Sequence, residues 1–522
     1  MVPMLESYVK RILSSRVYDI ALETPLAQAP LLSERLGCQV WLKREDLQPT
    51  FSFKLRGAYN KMAQLSQAQK DKGVITASAG NHAQGVALAA NKLGLKATIV
   101  MGRNTPSIKV EAVRRQGARV VLHGDSYDDA AAHAHDVGKA RGLVYIHPYD
   151  DADIIAGQGT VGMEIVNQHP SGIDAIFVPV GGGGLIAGVA AYVKYLHPET
   201  KIIGVEAHGS ACLYAARKAG RRVKLARETL DLFADGVSVA QVGAEPFKIA
   251  KDHVDDVIRV NTDEICAAIK DVFEETRNIA EPAGALAVAG LKRYRAEVGA
   301  SFESVVAIVS GANVNFDRLR HISERAEVGE DREAVLAVTI DESKGSFLKF
   351  CRTLGKRSIT EFNYRIARNV DAHIYVGLQV STLDDRHRVI DDLRARGYPV
   401  VDMTHNEAAK LHVRHMVGGR NSVGGDEAMP EAANRPAALN ELLFRFEFPE
   451  RPGALLQFLV GLGADWNITL FHYRNHGAAW GRVLVGFQGA KGDRKRLVEY
   501  LRRIGYRFWE EDENPAYQLF LK

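Results

Sequence analysis

The hydrophobic positions of this chain change rhythm along its length. From about residue 20 to 320, short apolar runs alternate with amphipathic stretches. Thr98–Met101, Arg119–Leu122, Ala175–Val180, Lys201–Glu206 and Val305–Ser310 read as buried strands, each with a helix-like neighbour. Strands that are apolar throughout lie buried on both faces, so the alternation predicts parallel sheets covered by helices. The rhythm weakens at Ile322–Glu333 (ISERAEVGEDRE), a charged stretch expected to be a linker.

Beyond it, two segments resemble each other. Gly345 in Leu336–Arg365 matches Gly453 in Leu443–Arg474, and Leu354-Gly355 matches Leu462-Gly463. After one inserted residue, Tyr364-Arg365 matches Tyr473-Arg474, and Gly377 matches Gly486. This is an internal duplication, and each copy reads strand, turn, helix, strand, strand, helix, the pattern of a small ferredoxin-like module. A polar, Gly-rich break, Gly418–Ala438, separates the copies. Neither copy carries a catalytic constellation, which leaves binding or assembly as its work.

A chain of 522 residues exceeds what one hydrophobic core can serve, so several domains are expected. With 46% hydrophobic and 25% charged residues, disordered and fibrous classes are excluded. The 67 basic and 63 acidic side chains leave a net charge of +4, with no dense Lys/Arg run interleaved with aromatics; nucleic acid is not an expected partner. No run of some 18 apolar residues suggests a membrane span, and Met1–Arg16 lacks the features of a secretory signal, so a cytoplasmic protein is expected. Cys38, Cys212, Cys266 and Cys351 form no metal-ligand spacing and read as buried small residues of a reduced compartment. His133 and His135, two apart on a helix, point away from each other. No metal site is expected.

Four segments can carry chemistry. Gly181-Gly182-Gly183-Gly184-Leu185 follows an apolar strand and precedes a helix, where free N–H groups and the helix dipole favour an anion such as phosphate. The absence of Lys-Ser/Thr after the loop argues against a nucleotide triphosphate, and no GxGxxG unit near the N-terminus suggests NAD. In Ser52-Phe53-Lys54-Leu55-Arg56-Gly57-Ala58, a lysine among Phe51, Phe53 and Leu55 is desolvated, which lowers its pKa and frees its amine to attack a carbonyl. Ser78-Ala79-Gly80-Asn81-His82 sits between a strand and a helix and presents N–H donors suited to a carboxylate, although plain capping would use the same residues. Ser310-Gly311-Ala312-Asn313 ends a strand at its C-terminal edge, where ligands collect in open α/β sheets.

In this order, SFKLRGA, SAGNHAQG, GGGGL and SGAN resemble the serine/threonine dehydratases of the tryptophan-synthase-β-like pyridoxal-phosphate (PLP) enzymes, fold type II. With the duplicated C-terminal part (FCRTLG…FNYR and FPERPGALL…FHYR), the chain resembles the biosynthetic threonine deaminase family, carbon–nitrogen lyases of isoleucine synthesis. The resemblance implies an α/β, two-lobed catalytic part over 1–321, with a small lobe at about 50–145. A linker at 322–333, an ACT-like α+β regulatory domain at 334–415, a linker at 416–440 and a second ACT-like domain at 441–522 complete the expected order.

It also implies roles. Lys54 would form the Schiff base with PLP, beside Phe53; Asn81 would bond the cofactor's phenolic oxygen; Gly181, Gly182, Gly183, Gly184 and Leu185 would hold its phosphate. Ser310 would face the pyridine nitrogen, Glu281 would border the ring, and Ser78, Ala79, Gly80, Asn81 and His82 would take the substrate carboxylate. Relatives often hold a cation through a Glu and an Asp after the GVE strand; after Glu206 no Asp is in reach. L-threonine, and secondarily L-serine, are the implied substrates, isoleucine the implied inhibitor and valine its antagonist, with Tyr364 and Tyr473 contacting effector in a homotetramer. The tandem modules argue against a catabolic dehydratase, and intact Lys54 and Ser310 against a non-catalytic amino-acid sensor.

Overall fold

The structure is a computed structural model that describes residues 2–103, 105–124, 126–169, 172–299, 301–341, 343, 345–365, 371–406, 409–410, 441–449, 454–462, 466–474, 480–489 and 491–514. The chain divides into two compact units, Met1–Gly329 and Glu330–Lys522.

Among the described residues the first unit contains ten strands: β1 (Leu26–Gln28), β2 (Gln39–Arg44), β3 (Val74–Ala77), β4 (Ala97–Met101), β5 (Arg119–Leu122), β6 (Val144–Tyr145), β7 (Ala175–Pro179), β8 (Lys201–Ala207), β9 (Asp256–Val260) and β10 (Ser304–Val309). They form a six-stranded sheet in the order β1-β2-β10-β7-β8-β9 and a four-stranded sheet in the order β5-β4-β3-β6. All pairings are parallel except β1 with β2. The five apolar runs expected to be strands are β4, β5, β7, β8 and β10, within a residue at each end. The strands of the four-stranded sheet fall between β2 and β7 in the chain.

The expected linker at 322–333 is instead largely helix. Arg318–Gly329 is one helix, and β11 (Glu333–Asp341) opens almost at once. Ile322, Ala326 and Val328 are buried, the helix packs on Thr262–Thr276, and Arg325 binds Asp263. The buried face is paved partly by an ion-paired arginine, which hides the apolar period from a reading of the sequence.

The second unit continues with β12 (Ile359–Arg365), β13 (Asp371–Gln379), β14 (Val400–Asp402), β15 (Glu441–Pro449), β16 (Asn467–Arg474), β17 (Trp480–Gln488) and β18 (Arg507–Glu510). Each copy is a βαββαβ module, and the two share one eight-stranded sheet, β14-β11-β13-β12-β16-β17-β15-β18. The join is the antiparallel pair β12–β16, in which Phe362 stands opposite Tyr473, Asn363 opposite His472 and Tyr364 opposite Phe471. The expected linker at 416–440, and the matched Gly453 and Gly463, lie outside the described residues.

The catalytic unit is organised around a buried charge cluster. Arg56, fully buried, donates Nε and Nη2 to the two carboxylate oxygens of Glu45 at 2.7 Å each, and reaches Glu164 at 2.5 and 2.9 Å. Thr160 Oγ1 and the Leu22 carbonyl accept its remaining donations. Lys43, also buried, lies 2.6 Å from Glu164, so two cations face two carboxylates. Burial alone would push Glu45 up, but the Arg56 guanidinium holds it below the usual carboxylate range.

Removing one partner would strand an uncompensated charge in a dry interior. Arg56→Met is expected to lower unfolding stability by about 3–5 kcal/mol, read from the urea midpoint at pH 7, and Arg56→Lys should fail to restore it because an ammonium cannot serve both carboxylates bidentately. A variant unfolding at the parent midpoint would contradict this account.

Candidate active site

Every residue expected to bind cofactor or substrate in the catalytic part lines a single cleft of about 1270 Å³. The local backbone explains the convergence. Phe51 adopts a left-handed φ of 55°, a strained turn for a bulky residue, and the segment after it is stitched to the end of β10. Ala312 N–H donates to the Phe51 carbonyl at 2.9 Å, Phe53 N–H to the Ser310 carbonyl at 3.3 Å, and Ser52 bridges Gly311. The two segments that carry Lys54 and Ser310 are therefore held edge to edge.

Lys54 opens the helix Lys54–Ala63 and lines the cleft, partly buried. Its Nζ donates to the Pro148 carbonyl at 3.2 Å and lies 5.2 Å from the Phe53 ring centroid. Burial lowers its pKa to about 8, against the attraction of Glu281. Glu281 itself is pushed up to about 7 by burial and by the nearby Asp235 charge. A lysine brought down and a carboxyl brought up both titrate close to neutrality, the condition under which protons move readily.

Each glycine of the phosphate-loop candidate has its own reason. Gly183 has φ +90°, a left-handed conformation that caps the helix Gly184–Leu196. A Cβ on Gly182 would clash with the Tyr149 ring, and one on Gly181 would approach Val237 Cα to 2.9 Å. The loop thus lies between Tyr149 and Val237, and its N–H groups stand at a helix start whose first turn has no intrahelical acceptors. Ser310 is buried, with Oγ donating to the Ala283 carbonyl at 3.2 Å. Gly284 permits that approach, since a Cβ there would strike the Gly311 carbonyl.

Asn81 starts the helix Asn81–Leu93, its Nδ2 donating to Glu281 Oε1 at 2.5 Å. Ser78 Oγ accepts the Gly80 N–H at 3.2 Å. His82 is buried; burial and the Lys54 charge lower its pKa to about 3, so the ring is neutral. Its Nε2 lies 3.0 Å from the Ile146 carbonyl, which only accepts, so Nε2 carries the proton and Nδ1 is an acceptor. Phe53 packs beside Lys54.

Sequence reasoning passed over the segment His147-Pro148-Tyr149-Asp150. It crosses from β6 to the helix Ala152–Gln168 and supplies the Lys54 partner at Pro148, the ring beneath Gly182, and, through Asp150, the cap of the helix Ala244–His253. The Pro and paired Asp announce a turn and a helix start; which ring fills the space beside a glycine carries no sequence signal. Glu206 is buried, accepts the N–H groups of Leu213 and Tyr214 at 2.8 Å each, and is raised to about 7 by burial. His133 stacks on His123 and His135 on Tyr145. Among the described residues no group of three or more His, Cys, Asp or Glu is placed to hold a metal ion, and none of the four cysteines forms a disulfide; three of them are buried.

Tyr364 and Tyr473, in the second unit, lie within its hydrophobic core beside the β12–β16 join; Tyr364 packs 5.3 Å from Phe347.

The cleft suits a phosphorylated aldehyde. It offers a lysine amine, a helix start where added side chains would collide, and polar side chains at Asn81 and Ser310.

The chain matches the pyridoxal-phosphate dependent enzyme family over residues 17–311 and the C-terminal regulatory domain of threonine dehydratase over 324–413 and 435–521. It is 53% identical over 517 residues to the biosynthetic L-threonine dehydratase of Burkholderia multivorans, covering 98% of this chain and 99% of that one. To the Escherichia coli enzyme of the same description it is 51% identical over 516 residues, covering 98% and 97%. Among solved structures, the processed form of threonine deaminase isoform 2 from Solanum lycopersicum is 52% identical, with a TM-score of 0.61 over 62% of this chain and 94% of that chain. Catalytic and regulatory parts match together and nearly end to end, so the chain belongs to the biosynthetic threonine dehydratases, PLP-dependent lyases that carry a regulatory domain.

Proposed function

We propose that the chain converts L-threonine, and secondarily L-serine, into the 2-oxo acid and ammonia, under control of branched-chain amino acids bound to its duplicated C-terminal modules. The observation that carries the catalytic part is the Lys54 amine, lowered to about 8 by burial, in the same cleft as the glycine loop. PLP supplies the electron sink that makes the substrate Cα–H acidic and lets the β-hydroxyl leave.

The rest is the work of this chain's own residues. Lys54 Nζ holds and releases a proton near neutrality and takes it from Cα. The N–H groups of the Ser78–His82 segment orient the substrate carboxylate at a helix start, and the neutral His82 adds no charge there. Ser310 is an uncharged hydroxyl with one proton to give, to Ala283 or to a ring nitrogen, so no carboxylate stabilises a protonated ring; that favours elimination over longer-lived carbanion chemistry. In balance, the Cα–H and Cβ–O bonds break, water leaves, and a second water releases ammonia.

We assign isoleucine as inhibitor and valine as its antagonist to the paired modules, at the join where Tyr364 and Tyr473 stand, and place the chain in a homotetramer on the strength of the family resemblance. Among the described residues no helix is long and apolar enough to cross a membrane.

Two measurements test the catalytic reading. Lys54→Ala should fold yet lose 2-oxobutanoate formation by at least about 10³-fold. In the cofactor-stripped chain the neutral amine fraction grows as pH rises through about 8, so the rate of PLP uptake should climb to that point and then level off, where an ordinary lysine would still be gaining above pH 10. A rate that keeps climbing to pH 10 would refute the assignment of Lys54.

For the regulatory part, a chain ended at Gly329 should still form 2-oxobutanoate but ignore isoleucine. The full chain should bind isoleucine in calorimetry and lose about tenfold in threonine affinity, which requires only about 1.4 kcal/mol of differential binding. Inhibition surviving the truncation would place the effector elsewhere.

A further inference from the structure

Asn81 has an amide whose nitrogen and oxygen are nearly the same size, so nothing in its shape decides which of them faces the cleft. The decision is made by the side chain next to it. Asn313, four residues past the end of β10, donates Nδ2 to the Thr50 carbonyl at 2.8 Å and to Asn81 Oδ1 at 2.8 Å. A main-chain carbonyl only accepts, so the Thr50 contact fixes the Asn313 amide without ambiguity.

With that orientation set, the second Asn313 proton needs an acceptor, and Asn81 must present Oδ1. Asn81 Nδ2 is then turned to the other side, where one hydrogen goes to Glu281 Oε1 at 2.5 Å and the second is available to a ligand. Thr50 O, Asn313, Asn81 and Glu281 form one directed chain drawn from four separate segments, and its direction starts at a backbone atom that cannot flip.

We propose that Asn313 is a positioning residue for the reaction, holding the Asn81 amide in the orientation that offers an N–H, and not a carbonyl, to the cofactor's phenolic oxygen. This rests on the reading of Asn81 given above. If the amide were reversed, two oxygens would face each other across a desolvated site, and the cofactor would lose a hydrogen bond and gain a repulsion. Asn313 need touch neither cofactor nor substrate to exert this control.

The competing account makes Asn313 a brace for the Thr50–Phe51 turn, acting independently of Asn81. A double-mutant cycle separates the two. Full-length protein is stripped of cofactor and titrated with PLP, following the visible absorption band of the bound form and its dependence on pH, without substrate. Asn313→Asp keeps the shape of the side chain but removes both donations. It should weaken PLP binding about tenfold and displace the pH at which the visible band changes, because the phenolic oxygen loses its donor.

In an Asn81→Ala background the same substitution should add less than about twofold, since the group it acts through is gone. Independent, multiplicative losses would overturn the proposal, as would an Asn313→Asp protein whose band, pH response and affinity equal the parent's. Should circular dichroism show that Asn313→Asp does not fold, Asn313→Ala enters the cycle with the same expectations. A parent chain that does not bind PLP would overturn the functional reading itself, whereas a parent that binds it beside additive variants would overturn only the role of Asn313.

Discussion

The position of the reactive amine depends on a salt bridge that never touches it. Arg56 lies two residues after Lys54 and is clamped between Glu45, just after β2, and Glu164, on the helix Ala152–Gln168. Desolvating four charges is expensive, and the cluster is tolerable because it is neutral and fully hydrogen-bonded, with Thr24 and Tyr18 supplying further donations to the carboxylates. Its value lies in direction. A planar guanidinium met by two bidentate carboxylates has one orientation, so the first turn of the helix Lys54–Ala63 cannot rotate. Close packing reinforces this: a Cβ on Gly57 would collide with Gln158 and Ile154, and one on Gly157 with the Gly57 backbone. On the opposite side, a Cβ on Gly85 would crowd the Leu55 backbone.

That rigidity gives the cleft its electrostatics. Lys54 is held where burial outweighs the pull of Glu281, and Glu281 where burial and Asp235 outweigh its hydrogen bond from Asn81. The Lys54 shift would not survive if the first turn of the helix could swing its lysine toward water, because hydration would restore the ammonium. The buried network and the perturbed amine are thus cause and consequence. Phe51 shows the cost of the arrangement, since a bulky residue is kept at positive φ by hydrogen bonds that tie the turn to β10.

What the sequence disclosed follows from how local each signal is. Strand, loop and helix follow one another directly over Ala175–Leu196, so period and glycine content suffice there. Lys54 stood out by its apolar neighbours and by the motif around it. Arg56, in the same motif, went unread because its partners lie 11 and 108 residues away and because Lys43, Glu45 and Glu164 look singly like surface charges. The helix Arg318–Gly329 was hidden for a related reason, as its buried face includes an arginine satisfied by an aspartate of another helix. The Asn313 relay is equally silent in sequence: SGAN ends a strand, and nothing local says whose amide it will face.

The duplicated half shows how a repeat can be legible while its geometry is not. The matched glycines have a concrete cause. A Cβ on Gly377 would strike Thr360 and Glu333, which are hydrogen-bonded to each other, and a Cβ on Gly486 would meet Thr469 and Glu441, bonded in the same way. The same three-residue arrangement therefore recurs in both copies and explains why glycine stands at the equivalent strand position. Nothing in either copy, however, specifies that β12 and β16 pair, since an edge strand offers its backbone to any partner of matching register. The observed register carries an internal check. Phe362 faces Tyr473 and Tyr364 faces Phe471, so the two strands exchange equivalent partners about a point at Asn363 and His472. Two copies joined by like edges generate an approximate twofold relation, and whatever shape or charge one copy presents at the join, the other presents in reverse. The two Tyr–Phe pairs are equivalent under that relation, and the copies differ at its centre, where Asn363 stands opposite His472, so the join is symmetric in its aromatic pairs and asymmetric in the polar pair between them.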